Sequence, residues 1–357
     1  MSKKRILLLG PNLNAVSGVS THLNQLFGSS LAKDFDLVHF KIGSEGKGES
    51  KLASLSRLAA SPFSLGWAII TKRPAIVHLN TSLDRKAFWR DLVYLYVARV
   101  LGKKIVYQVH GGDLPRVLFD NEKGKTKWVE RALRKTDMVS LLSTEEMQAY
   151  AEFVPDVRCE LIPNAIHLDP KVETPTTPKT RPLELVFVGR LAPSKGVAEC
   201  IKALKLLQEA GRPMRLTIAG SGPQEAELKQ LAQNENINFV GPIFDEEKNR
   251  LWRESDVFVF PTYHHEGLPY ALLESMAAGC VPITTRVGGQ PDVMQDGVHG
   301  LFIPSKDPRA LADAVIKLDD DRNLLLKMAQ NGIVRIRDHY NVERLASQFR
   351  DVYTSLA

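Results

Sequence analysis

One alternation, run twice, constrains this chain more than anything else in it. Apolar runs of four to six residues alternate with longer segments of helical periodicity, break once at a proline-rich stretch, and begin again. In the first series, strands are expected at 4–9, 37–41, 76–79, 104–109, 138–142 and 159–162. Helices are expected at 19–28, 52–71 with a break at Ser61-Pro62, 86–101, 125–135 and 145–153. Residues 42–51, rich in Gly, Ser and Glu, read as a loop. The break holds five prolines (163, 170, 175, 178 and 182) and the run TPTTPKT. Beyond it, strands are expected at 184–188, 215–219, 237–240, 257–260 and 281–285. Helices are expected at 196–210, 223–233, 245–254, 269–278, 309–317, 322–338 and 342–355. Such alternation implies parallel sheets covered on both faces, here two doubly wound domains with ligands at the carboxyl ends of the strands. The expected division is 1–168, a linker at 169–183, a second domain at 184–339, and a final helix at 340–357.

At 357 residues, two domains can each bury a core. The 44% hydrophobic and 25% charged content is that of a globular protein, and no stretch approaches the roughly 18 apolar residues of a membrane span. The apolar run after Met1-Ser2-Lys3-Lys4-Arg5 is only Ile6–Leu9, short for an export signal and better read as a strand. Cys159, Cys200 and Cys280 are widely spaced and show no metal-ligand pattern, which fits a reducing cytoplasm. Residues 1–175 carry 25 Lys+Arg against 18 Asp+Glu, a balance of +7, while the rest carries −1. A basic first half suggests an anionic partner there. No aromatic-studded basic motif points to nucleic acid, so an anionic membrane surface or a phosphorylated acceptor is the more economical expectation.

Chemistry concentrates in residues 257–289, VFVFPTYHHEGLPYALLESMAAGCVPITTRVGG. A strand ends near Pro261, Pro269 suits the first turn of a helix, and Gly279 its stop. Glu266 lies in the loop, and Glu274 about five residues into the helix, roughly 7.5 Å along its axis. Free N–H groups at that helix start can hold an anion, and carboxylates accept hydrogen bonds from hydroxyls. Anion plus polyol describes a sugar nucleotide. Upstream, Gly189-Arg190 ends a strand and Lys195-Gly196 precedes a helix, so that two cations suit a diphosphate.

The combination of GR-L-x-x-x-KG, a Gly-rich strand end, S-D-V-F-V-F-P and E-G-L-P-x-A-L-L-E resembles the retaining glycosyltransferases of family 4. The likeness is strongest over 184–304 and looser over the first half. The resemblance implies a GT-B architecture, α/β, with two doubly wound Rossmann-like domains facing across a cleft: an acceptor-side N-terminal domain and a C-terminal donor domain. It implies that the last helix packs back on the first domain and that hinge closure assembles the site. It implies that Glu274 binds the donor ribose and Glu266 the sugar hydroxyls. Arg190 and Lys195 would hold the diphosphate, helped by backbone N–H groups of Gly267, Leu268 and Tyr270. Backbone around Gly241–Phe244 would line the base pocket.

The first half adds Ser17-Gly18-Val19 at the first strand-to-helix turn, where Gly18 lets backbone approach a phosphate. Many family members have two glycines there; this chain has Ser17 first. Val109-His110-Gly111-Gly112-Asp113 ends a strand, and His110 can exchange a proton near neutral pH; the resemblance turns it toward the donor sugar. Asp113 either orients this loop or meets the acceptor.

The implied activity is transfer of a sugar, with retention, from a nucleotide-diphosphate sugar, UDP-sugars favoured. The acceptor would be a glycan or lipid-linked molecule in cell-surface polysaccharide, lipopolysaccharide or glycolipid assembly. Cations and a helix start would stabilise the leaving diphosphate without a divalent metal or other cofactor. Work in the cytoplasm, peripheral on the inner face of the cytoplasmic membrane, follows from a lipid-linked acceptor. The basic helix 86–101, the loop 123–135 and the loop 44–50 are the acceptor-side candidates.

Competing readings are a GT-B nucleotide-sugar epimerase, which needs acid/base carboxylates not assignable here, and a non-catalytic nucleotide-sugar-binding module. A glycan phosphorylase lacks an evident pyridoxal-phosphate lysine. A dinucleotide oxidoreductase rests on Gly220-Ser221-Gly222, whose third glycine position is Glu225. His264-His265-Glu266 is too compact for one metal ion. Trp67, Trp89 and Trp128 read as core or interface residues.

Overall fold

The computed structural model describes residues 3–43, 51–120, 122–233 and 236–357, with the side chains of 51–55 excepted. The loop at 44–50 lies outside the described residues. Two compact units make up the chain: Met1–Ala165 with Val342–Ala357, and Ile166–Asn341.

The first unit is a six-stranded sheet of β1 (Arg5–Gly10), β2 (Asp36–Lys41), β3 (Ile76–Leu83), β4 (Lys104–Gly112), β5 (Met138–Leu141) and β6 (Cys159–Leu161), ordered β2-β1-β3-β4-β5-β6. All its pairings are parallel. Alternation within β1 shows why the strand is apolar throughout. Leu7 and Leu9 enter one core with Val77, Leu79 and Tyr107, while Ile6 and Leu8 enter another with Leu23, Leu26 and Phe349. Phe349 and Tyr353 lie on the last helix, Val342–Leu356, which thereby covers one face of this first sheet. The order reverses between β1 and β3, which makes the loops after those strands a topological switch point.

The second unit is a six-stranded parallel sheet of β7 (Glu184–Val188), β8 (Arg215–Ala219), β9 (Ile237–Gly241), β10 (Val257–Phe260), β11 (Val281–Thr284) and β12 (Leu301–Phe302), ordered β12-β11-β10-β7-β8-β9. Its switch point falls between β7 and β10, directly where Gly189-Arg190 and the Glu266 loop leave the sheet.

Three expectations change. The helix Lys51–Lys72 runs through Pro62 without a break. Proline removes the amide that would bond Leu58 C=O, and Ser61 Oγ donates to that carbonyl instead at 3.4 Å, itself accepting from Tyr94 Oη at 2.9 Å. Residues 169–183, expected as a linker, belong to the second unit. Lys179 and Arg181 both bond the Asp256 carboxylate, which also accepts the Glu184 N–H at 2.9 Å, and Arg253 bonds Asp169. Four short elements, the helices Leu31–Asp34 and Gln290–Val293, the 3-10 turn Pro193–Lys195 and strand β12, were not expected. No described helix is long and apolar enough to cross a membrane.

Candidate functional site

In the second unit, a 3-10 turn at Pro193–Lys195 follows β7 and brings Lys195 onto the loop after β10. Lys195 Nζ donates to Glu266 Oε1, with both side chains mostly covered. Lys195 also lies 5.9 Å from the centre of the Phe260 ring. The loop is fixed from below. Thr262 Oγ1 donates to Ser194 C=O at 3.1 Å, and Tyr263 N–H to the same carbonyl at 2.9 Å. Gly289 N–H bridges the carbonyls of Glu266 (3.1 Å) and Gly267 (2.8 Å). Gly288 sits at φ +56°, and any Cβ there would overlap Glu266 C=O, so close backbone approach dictates that glycine.

Glu274 projects from the helix Tyr270–Ala277 and accepts Lys248 Nζ at 2.7 Å and Trp252 Nε1 at 3.3 Å. Both donors come from one face of the helix Asp245–Glu254. No side chain caps the Tyr270–Ala277 helix at Pro269, so its first amides remain an anion-binding end. Gly267 and Leu268 are buried just before it. The Tyr270 hydroxyl is buried without a hydrogen-bond partner among the described residues, and burial beside Glu274 raises its pKa well above the usual value. Arg190 is exposed and has no side-chain hydrogen bond or ion pair among the described residues. Gly241 ends β9 and accepts the Gly220 N–H at 2.8 Å. Gly220, at φ +141°, packs against Gly189 C=O, so the dinucleotide-like glycines serve the meeting of two strand-end loops. No cluster of three potential metal ligands occurs among the described residues.

The carboxyl end of the first sheet is chemically different. Ser17 caps the helix Gly18–Gly28, its Oγ accepting Ser20 N–H at 3.1 Å, and Gly18 is exposed. Serine in place of the first glycine therefore supplies the cap. His110, near the end of β4, has its Nε2 3.1 Å from Asn80 Oδ1, and its ring meets His22 edge-on at 4.7 Å. Beneath it, His78 Nδ1 is 2.6 Å from Tyr353 Oη and His78 Nε2 is 3.1 Å from Gln108 Oε1. Burial lowers the pKa of His22 to about 3 and of His78 to about 3. Burial, with His22 and His78 alongside, holds His110 well below the usual histidine value. The expected proton exchange at His110 near neutral pH is corrected accordingly: desolvation leaves it a neutral imidazole. Asp113 is exposed at the end of this loop, its N–H bonded to Leu83 C=O at 2.8 Å.

Sequence reasoning reached Lys195, Glu266 and Glu274 but missed Lys248, Trp252 and Thr262. It also missed His22, whose signal was available: a histidine at an apolar position of the periodic helix Gly18–Gly28.

Residues 171–335 match the family model of glycosyl transferases group 1. The amylovoran biosynthesis glycosyltransferase AmsK of Erwinia amylovora is 24% identical over 338 residues, which cover 92% of this chain and 80% of that one. Among solved structures, the sucrose-phosphate synthase of Thermosynechococcus elongatus superposes with a TM-score of 0.81 at 19% identity, covering 99% of each chain. Anabaena HepE, solved in complex with UDP-glucose, gives 0.74 at 17% identity over 98% of this chain and 99% of that one. The second unit thus carries a region matching glycosyl transferases group 1, and the chain, with both doubly wound sheets matched along nearly its whole length, has the GT-B fold.

Proposed function

We propose that the chain is a retaining hexosyltransferase of family 4. It moves a sugar from a UDP-sugar to a glycan or lipid-linked acceptor in cell-surface polysaccharide, lipopolysaccharide or glycolipid assembly. It works in the cytoplasm at the inner face of the membrane, without a divalent metal. The observation that carries this reading is the self-paired charge at the second unit's switch point. Lys195 is bonded to Glu266 and Lys248 to Glu274, beside an uncapped helix start. A donor offers each of these groups a better-matched partner. Its diphosphate takes Lys195, Arg190 and the amides of Gly267, Leu268 and Tyr270; its sugar hydroxyls take Glu266; its ribose takes Glu274. The base rests against backbone at Gly241. On the first unit, the same reading gives His110 a sugar hydroxyl and Gly18 a phosphate oxygen.

When the anomeric bond breaks, negative charge gathers on the departing diphosphate. Fixed cations and helix amides stabilise that charge without reorganising. His110, being neutral, stabilises hydroxyls and does not deliver a proton as an imidazolium. The departing phosphate takes the acceptor's proton on the same face of the sugar, which preserves configuration.

The test is release of nucleoside diphosphate from UDP-, GDP- and ADP-sugars in EDTA with lipid-linked acceptors. Release from the UDP-sugar with the product configuration retained is expected. Activity restored only by Mg²⁺ or Mn²⁺ refutes the metal-free chemistry. Sugar epimerised without an acceptor replaces transfer with epimerisation.

A further inference from the structure

Helices Lys51–Lys72 and Arg85–Val100 are apolar on a face that none of the described residues covers. On the first, Phe63, Trp67 and Ile70 are 81%, 70% and 57% exposed, at spacings of four and three residues. On the second, Trp89, Val93, Tyr96 and Val100 recur at spacings of four, three and four, and Val100 is 82% exposed. The opposite side of that second helix is already the core, through Phe88, Leu92 and Leu95. The helix is therefore apolar on both sides, which burial within this unit does not require. The two helices lie side by side: Tyr94 donates to Ser61, and a Cβ on Gly66 would stand 3.9 Å from Val97. Their outer stripes thus belong to one surface. Trp67, Trp89 and Trp128, read from the sequence as core or interface residues, are outside the core.

Cations frame this surface. Residues 85–135 hold thirteen Lys+Arg against five Asp+Glu. Lys135 lies over the Tyr96 ring at 5.9 Å and Arg131 over Trp128 at 5.5 Å, which ties the basic helix Lys123–Leu133 and the residues just after it to the apolar stripe. Lys86, Lys123 and Lys127 are exposed alongside. The apolar stripe by itself would suit a soluble protein partner equally well. Tryptophan and tyrosine in an apolar stripe flanked by excess positive charge match the boundary of an anionic bilayer, where rings sit at headgroup level and lysines reach phosphates.

We propose that this face of the first unit docks on an anionic lipid surface, seating the outer stripe of both helices among the headgroups. The proposal deepens the reading of a membrane-borne acceptor and rests on it for its purpose.

The experiment floats the full chain with vesicles of phosphatidylcholine alone and of phosphatidylcholine with phosphatidylglycerol, at low salt, beside a Trp67→Ser/Trp89→Ser variant. Wild type is expected to bind the phosphatidylglycerol vesicles. The variant, with unchanged circular dichroism and unchanged thermal response to UDP, is expected to partition about tenfold or more weakly, since two large rings leave the interface. Failure to bind either vesicle, equal binding by the variant, or equal binding to pure phosphatidylcholine overturns the proposal. So does a lipid-free dimer that the same substitutions dissolve, which makes the face a contact between copies. Vesicle binding needs neither donor nor acceptor. Binding without any nucleoside diphosphate release supports this inference and counts against the transfer reading alone.

Discussion

The carboxyl ends of the two sheets handle polarity in opposite ways. In the second unit the switch point holds charges that compensate one another, Lys195 with Glu266 and Lys248 with Glu274. In the first unit the corresponding end is built on His22, His78 and His110, all held neutral by burial. The difference teaches where a charged ligand can be accommodated. A pair of opposite charges can exchange partners with an incoming diphosphate and its hydroxyls while every group stays satisfied. A neutral imidazole cluster has no charge to exchange, and both ring nitrogens of His78 are already bonded, to Tyr353 and Gln108.

The largest effect expected from this contrast is catalytic. Lys195→Ala should lower turnover about 10²- to 10³-fold, the usual cost of removing one group that stabilises a developing anion. Rates of nucleoside diphosphate release measure it, and a loss below tenfold would make the Lys195–Glu266 pair merely structural.

Next comes acidification, which should strike the first unit. His22 and His78 have folded pKa values lowered to about 3, so the unfolded chain binds more protons below its ordinary histidine value of about 6.5. Stability should be intact above that pH and fall as pH drops from about 6.5 toward 3, because the unfolded chain takes up protons that the buried histidines do not. Urea unfolding at stepped pH tests this. A flat midpoint across the window would mean that the histidines are not buried neutral.

A smaller effect separates a ligand role for Glu274 from a structural one. Glu274→Ala should weaken the UDP-induced thermal shift about tenfold in apparent affinity, whereas Lys248→Ala should change it much less. Equal losses would mean that Glu274 serves only Lys248 and Trp252. Smallest is Tyr353→Phe, which removes the hydroxyl facing His78 Nδ1. It should cost about 1 kcal/mol of stability in urea with activity kept.

Much of the fold was legible because central strands such as β1 and β10 are buried on both faces and read as continuous apolar runs. β12 escaped because two residues carry no periodicity. The reading of 169–183 as a linker rested on its prolines, while what holds it is Lys179 and Arg181 on Asp256, more than seventy residues away in sequence. The same limit applies to the site. Lys195, Glu266 and Glu274 stood out by type and position, but pairing across 71 residues is set by strand order, with β7 beside β10. Lys248 and Trp252 lie one helical turn apart on a helix with an acidic start, and nothing local says which helix that face meets. The histidine cluster joins β3, β4, the first helix and the last, and only the return of the final helix brings Tyr353 to His78.

The most direct test of the second unit's role is calorimetric titration of UDP, in EDTA, into wild type and Lys195→Ala. Wild type is expected to bind, and the variant to bind about tenfold or more weakly through loss of a charge-assisted contact to the diphosphate. Equal affinity in the two proteins, or no binding by wild type, would contradict the assignment of the Lys195–Glu266 pair as the place where a nucleotide donor is held.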